Sequence, residues 1–371
     1  MLCRWGLAAM VLLLSVTASG GTEKSLPERD IPAADTMRHH TAAQTFRIMT
    51  YNVENLFDTC HDAGFSDEEF LPDAQRHWNT ARYWSKQQKL SRTIAAACGD
   101  VPLDVIALCE VENDTVVDHL CRRTRLRRLD YAYIVTHSND ARGIDVALLY
   151  QPIRFRLLHS ESLRIPFDKK YGRPTRDILH ACGRIPTGDT LDVFVCHMPS
   201  RRGGTKATRN FRFTAIRALR QSIDSISRTR RNPLIVALGD FNDEYTDASI
   251  RDVLQTKPCP DNAVASNEAE KADLYVLSAG LTAEPDIHGT YKYRGLWNQL
   301  DQIIVNERLL SPSSRLQASP RACYIFAPPF LTERDGNTGS VKPFRTYLGP
   351  VYHGGISDHF PVIADFIMKK E

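Results

Sequence analysis

Short apolar runs recur along the chain, and most of them end in polar residues. "FRIMTYNVEN" closes on Asn52, Glu54 and Asn55, "DVIALCEVEN" on Glu110, Glu112 and Asn113, and "LDVFVCHMPS" on His197 and its neighbours. "PLIVALGDFND" runs into Asp240 and Asn242, and "IDVALLY" follows Arg142. Runs of this length read as strands, and their near-continuous apolar character predicts burial on both faces. Between them lie amphipathic stretches. Residues 206–229 place Phe213, Ile216, Leu219, Ile223 and Ile226 on one stripe, with Arg212, Arg217 and Arg220 expected to face elsewhere. Residues 86–97 and 115–126 read as further helices. Strands covered by helices predict an α/β layered protein, with the polar strand ends gathered along one edge.

Composition adds little to that picture. The chain has 371 residues, 42% of them hydrophobic and 25% charged, as in an ordinary globular protein. A net charge of +3 is too small to bind nucleic acid by bulk electrostatics, so any preference for polyanions must come from local clusters. The first residues, "MLCRWGLAAMVLLLSVTASGG", set an Arg before a short apolar run and then small residues, the pattern of a secretory signal peptide over 1–20. Export to the periplasm or the extracellular space is expected. Residues 21–44 read as a loose leader, and 45–371 as one domain without linker or repeat. Disulfides become possible in such a compartment, although Cys109 and Cys196 sit in apolar runs and read as buried thiols.

The polar strand ends carry the chemistry. Asn52, Glu110, Asp240, Asn242, Asp301 and Asp358 offer oxygen donors of the kind a hard dication such as Mg²⁺ takes, while keeping waters for substrate oxygens. His197 and His359 can move protons near neutrality. In "GISDHFPVIADF" His359 follows a glycine pair and leads into an apolar strand, and Asp301 of "NQLDQIIV" is expected to orient it.

The set "TYNVEN", "CEVEN", "CHMPS", "GDFND", "LDQIIV" and "SDHFPV", in this order, resembles the endonuclease/exonuclease/phosphatase superfamily, whose members are similar to deoxyribonuclease I. The motifs span nearly the whole mature domain. The resemblance implies a four-layered α/β/β/α sandwich with two central mixed sheets, and hydrolysis of phosphate esters that depends on Mg²⁺, with Mn²⁺ as a substitute. It implies Glu110 as main metal ligand with Asn52 beside it, and Asp358 at a second metal or supporting the first. Asp240 and Asn242 would contact the scissile phosphate and attacking water, His359 would activate water or stabilise the phosphate, and His197 would protonate the leaving oxygen. Arg142 lies where similar proteins carry a phosphate-contacting arginine. "RGIDVALLY", "RPTRDIL", "HMPSRRGG" and the long segment 326–355 look like those of a bacterial, often exported branch of the superfamily.

Arg173, Arg176, Arg201, Arg202 and Lys206 lie close in sequence to these motifs, and Arg201 and Arg202 are the best placed for substrate. Tyr347 and Tyr352 could stack on a base or sugar from the segment 326–355, which reads as a long loop without regular structure. The leading expectation is an exported nuclease acting on DNA or RNA as a monomer without stable membrane association. A phosphodiesterase or phosphatase on lipid head groups or inositol phosphates is the alternative, and "IFAPPF" is its one candidate for membrane docking. A binding module without activity should have lost part of the metal and acid set, and this chain keeps every member.

Overall fold

A computed structural model of the chain describes residues 44–167, 174–259 and 273–369. The expected signal peptide, all of the leader but its last residue, and Arg173 lie outside the described residues. Two large sheets form the body. The first runs in the order Leu316–Ile325, Val362–Met368, Thr45–Leu56, Val105–Val111, Asp145–Tyr150, Ala132–Val135. The second runs Arg156–Leu163, Ile178–Arg184, Thr190–His197, Leu234–Asp240, Asp301–Asn306, Leu274–Val276, Thr256–Pro258. Both are mixed: Thr45–Leu56 pairs in parallel with Val105–Val111, and Thr190–His197 with Leu234–Asp240, among antiparallel neighbours.

Three apolar layers explain why the central strands are so uniformly apolar. Phe46, Ile48, Ala107 and Leu148 of the first sheet meet Val193, Val195, Val236 and Ile303 of the second in a core between the sheets. The outer face of the first sheet packs against helices α1 (Thr80–Cys98) and α2 (Asp114–Arg122), and the outer face of the second against α3 (Thr205–Thr229). The result is the expected α/β/β/α sandwich. A strand buried on both faces has no place for alternation, as Leu234–Asp240 shows, whereas the edge strand Arg156–Leu163 is half exposed.

Helix starts follow local chemistry. Asn79 accepts from Arg82 N at 3.1 Å at the head of α1, and Asn113 accepts from Val116 N at 3.2 Å at the head of α2. Asn113, one of the polar residues after the strand, is thus a helix cap. On α3 Ile216, Leu219, Ile223 and Ile226 are buried as the periodicity predicts, Phe213 is only partly covered, and Arg212 and Arg220 are buried too. Arg212 turns inward because Asp243 waits there, with Nε donating to Asp243 Oδ2 at 2.7 Å.

The segment 326–355 is not an irregular loop. It folds as two small hairpins, Thr332–Arg334 with Val341–Pro343 and Tyr347–Leu348 with Val351–Tyr352, after a short 3-10 turn. Ile325 is buried, and Phe326, Ala327 and Phe330 of "IFAPPF" are partly buried against the first sheet's outer core. Cys109 and Cys196 are buried thiols whose ionisation burial pushes upward. Among the described residues no helix is long and apolar enough to cross a membrane.

Candidate active site

The pairing register of the second sheet builds the first half of the site. His197 lies opposite Asp240, and Asp240 opposite Asp301, so three ionisable side chains form one row at the strand ends. Gly239 makes the row possible: its φ is +141°, and a Cβ there would stand 1.9 Å from Cys196 O on the neighbouring strand. Asp301 is fully buried, and its Oδ2 lies 2.7 Å from His359 Nδ1. Burial opposes charge on His359, but Asp301, with Asp240 and Asp358, raises the imidazole to about 10 and keeps it protonated.

His197 has the opposite environment. Burial, then the charges of Arg176, Arg142 and His359, hold it well below its usual range, so it is neutral. Its Nε2 lies 3.7 Å from Asp240 Oδ2 and 3.8 Å from Glu110 Oε1. Asp240 is raised to about 7, mainly by burial, with His359 pulling it down and Asp301 pushing it up. Two histidines a few ångströms from one carboxylate therefore hold different charges.

The first sheet supplies the other half. Asn52 donates from Nδ2 to Asp240 Oδ2 at 3.0 Å, while its Oδ1 accepts from Glu54 N. Strand pairing shifts register between Cys109 and Val111, and the bulge at Glu110, with φ +66°, turns its carboxylate to the edge. Oε2 of Glu110 accepts from Asn55 N at 2.8 Å. Glu54, Asn55 and Asn242 are also left-handed, with φ between 51° and 52°. Non-glycine residues in that region cost about 1–3 kcal/mol each and gather where the surrounding fold holds a site in place.

Asn242 donates from Nδ2 to Met198 O at 3.0 Å and from its backbone N–H to Asp240 Oδ1 at 2.9 Å. Arg201 braces this turn rather than offering a free charge. Its Nε donates to Asn242 O at 2.6 Å and its Nη2 lies 3.0 Å from Asp243 and 2.5 Å from Asp247, so the expected substrate role meets a guanidinium already engaged. Arg202, next in sequence, has no ion-pair partner among the described residues and lines a groove that opens on Glu110 and Arg142. Arg142 itself is set by Asp140, which accepts its backbone N–H at 3.0 Å and is held in turn by the buried Arg176 at 3.1 Å. Arg176 thereby leaves the basic rim and becomes a support.

Tyr347 does not face substrate. It is 4% exposed, its hydroxyl donates to Arg76 O, and Arg76 stacks over its ring. Tyr352 packs against it and under Arg82. Packing these two rings on the body fastens the hairpin, while Leu348 and Val351 next to its turn stay exposed. Glu112 also turns away, accepting from Asp58 N at 2.6 Å.

Three groups at the site have no sequence signal that distinguishes them. Arg345, from the segment 326–355, pairs through Nη2 with Asp358 Oδ2 at 2.9 Å and lies 3.6 Å from Glu54 Oε1. Asp358, implied to bind or support a metal, is therefore neutralised by a guanidinium. Buried Lys86 donates to Glu54 O and to Thr346 Oγ1, tying α1 to that segment. Tyr291 holds its ring 4.9 Å from that of His359, tilted by 34°.

For a divalent cation the donor chemistry fits at Glu110, whose Oε1 receives no hydrogen bond among the described residues. No three His, Cys, Asp or Glu side chains among the described residues are spaced to hold a metal by themselves. A hard dication commonly takes only one or two carboxylates and completes its shell with water and phosphate oxygens, so a site resting on Glu110 would draw most of its ligands from those.

A four-layered sandwich with carboxylates, amides and imidazoles meeting at the strand ends of both sheets belongs to the class of phosphoric-ester hydrolases. The chain is a member of the endonuclease/exonuclease/phosphatase family, whose model matches residues 47–369. Among solved structures it is similar to a humanised TDP2 of D. rerio carrying 14 mutations, at 16% identity and a TM-score of 0.53, covering 87% of this chain and 98% of that one. It is similar to family members from Bacteroides vulgatus, at 14% identity and TM-score 0.52 over 88% and 99% of the two chains, and from Bacteroides thetaiotaomicron, at 14% and 0.51 over 88% and 98%. No curated protein sequence matches the chain.

Proposed function

We propose that the protein is an exported, Mg²⁺-dependent phosphodiesterase that hydrolyses DNA or RNA with an activated water. The observation that carries this reading is the row His197–Asp240–Asp301 of one sheet facing Asn52 and Glu110 of the other, with Arg142 at its margin. Residues 1–20 would direct export, 21–44 would be a leader, and 45–371 would act as a monomeric catalytic domain. Mn²⁺ would substitute for Mg²⁺. When bound at Glu110 and Asn52, the cation would neutralise charge on the scissile phosphate.

The chain's own groups supply the remaining work. Asp240, raised toward neutrality, takes a proton from the attacking water, and Asn242 fixes the turn that presents it. Protonated His359, oriented by Asp301, places a fixed positive charge against the equatorial oxygens as attack proceeds. Neutral His197 and Arg142 hold the opposite side of the phosphate. The roles of the two imidazoles thus follow from their charges.

The test is plasmid nicking by the mature protein with Mg²⁺, with Mn²⁺ and with chelator, alongside Glu110→Ala and His359→Ala. Metal-dependent nicking that both substitutions abolish supports the reading. Turnover confined to sphingomyelin vesicles or an inositol polyphosphate would replace its substrate class while leaving the centre in place. Thermal unfolding adds a readout free of turnover, because Mg²⁺ should raise the Tm of the parent protein and not that of Glu110→Ala.

A further inference from the structure

Beside Glu110 lies a groove of about 770 Å³, well inside the roughly 300–1,000 Å³ typical of small-molecule sites. It runs from Glu110 and Arg142 along the first turns of α3, and its walls are unlike the rest of the site. Phe167 and Phe211 line it and remain 41% and 37% exposed, so both leave aromatic surface within reach of a ligand. Ile165 and Pro166 add apolar surface next to Phe167.

Apart from the Glu110 carboxylate, the charge left in the groove is positive. The carboxylate of Asp140 on its floor is neutralised by the buried guanidinium of Arg176 at 3.1 Å. Arg202 keeps an unpaired charge among the described residues, and Arg142 stands 3.8 Å from Asp140, beyond hydrogen-bond reach of it. Guanidinium groups in an aromatic-walled trough suit a flat ring flanked by phosphates. They suit an acyl chain poorly, since it would meet guanidinium groups where it needs hydrocarbon.

We propose that this groove is the subsite for a single nucleobase of the substrate, the base lying against Phe167 and Phe211 while the adjoining phosphate faces Arg202. The inference rests on the phosphodiesterase reading of the neighbouring centre and names what that centre is shown: an unpaired, unstacked nucleotide beside the scissile bond. A base in a duplex has both faces covered by its neighbours, so the subsite selects single-stranded or frayed substrate. Stacking on aromatic side chains tolerates any base, so the groove confers preference for a base over none, without reading sequence.

The test compares a single-stranded oligodeoxynucleotide with an oligomer of equal length built from abasic tetrahydrofuran units. Binding is measured in chelator, and cleavage with Mg²⁺. The parent protein should bind the base-bearing oligomer about tenfold more tightly, the scale of one stacked base. Phe211→Ala and, separately, Phe167→Ala should remove most of that preference, and Phe211→Tyr should keep it. Arg202→Ala should weaken both oligomers alike.

Equal affinity of the parent for the two oligomers, or a preference that neither alanine variant reduces, overturns the subsite. Cleavage of both oligomers at equal rates overturns it too while leaving the phosphodiesterase reading intact. A base preference in binding with no cleavage of either oligomer keeps the subsite and removes the nuclease reading. Turnover of sphingomyelin vesicles that Phe211→Ala abolishes would assign the groove to an acyl chain instead.

Discussion

Asn52 Nδ2 donates to Asp240 Oδ2 at 3.0 Å, and this bond joins the two sheets at the floor of the site. Asn52 belongs to Thr45–Leu56 of one sheet and Asp240 ends Leu234–Asp240 of the other, so the site exists only where the two are stacked in this offset. The bond also sets chemistry. A donor to a carboxylate favours its charged form, and the Asn52 amide pulls the Asp240 value down against the effect of burial.

Asn52→Ala should therefore move the acidic limb of the kcat/KM profile to higher pH, because Asp240 loses a group that stabilises its anion. A profile measured across neutrality checks this. A fall in rate with no movement of the limb would count against Asp240 as the proton acceptor.

Asp301→Asn should reduce kcat by about 100-fold or more, the scale of a lost general acid–base or charge-stabilising group, with KM little changed. The neutral amide no longer supports the imidazolium at 2.7 Å, so the His359 value falls from about 10. Steady-state kinetics on the parent's best substrate, with NMR titration of His359, would separate this from simple unfolding.

Adjacent arginines should behave differently. Arg202→Ala should weaken nucleic-acid binding and lower the slope of log affinity against log salt by about 0.7–0.9 if it meets one phosphate. Arg201→Ala should leave that slope unchanged and instead lower the Tm, because Asp243, 4% exposed in its side chain, loses a partner at 3.0 Å. Asp243 keeps Arg212 at 2.7 Å, so the loss is that of one charge-assisted hydrogen bond, about 1.5–3 kcal/mol. Equal salt slopes for the two variants would contradict the assignment of Arg201 as a brace.

Far from the site, buried His180 lies 3.0 Å from Glu161 Oε1 and 2.9 Å from Asp192 Oδ1. Burial pulls its value down, but the hydrogen bonds and charges of Asp192 and Glu161 raise it above the ordinary range. A raised folded value means stabilisation that is complete below the unfolded value of about 6.5 and is lost as pH climbs through the folded one. The Tm gap between the parent and His180→Gln should shrink as pH rises from about 5 to about 9. A gap that stays constant over that range would show that His180 contributes packing alone.

The apolar runs of the sequence determine much of this protein. Their length and composition dictate strands buried on both faces, the stripe from Phe213 to Ile226 dictates α3, and the polar residues at the strand ends dictate one chemical edge. Strand periodicity places residues on faces, and that information is local. What a guanidinium touches is not local. Arg201 and Arg202 are neighbours in sequence, yet one is drawn onto Asp243 and Asp247 while the other stays open to the groove. Tyr347 is amphipathic enough to stack on a base or to bury, and only the packing of its hairpin on Trp78 and Arg76 decides for burial. The different charge states of His197 and His359 likewise come from tertiary surroundings, burial with Arg176 and Arg142 around the first and Asp301 against the second. Sequence supplies the titratable groups, and the stacking of the two sheets sets the field in which they titrate, because electrostatic interaction depends on distance through space and on burial rather than on separation along the chain.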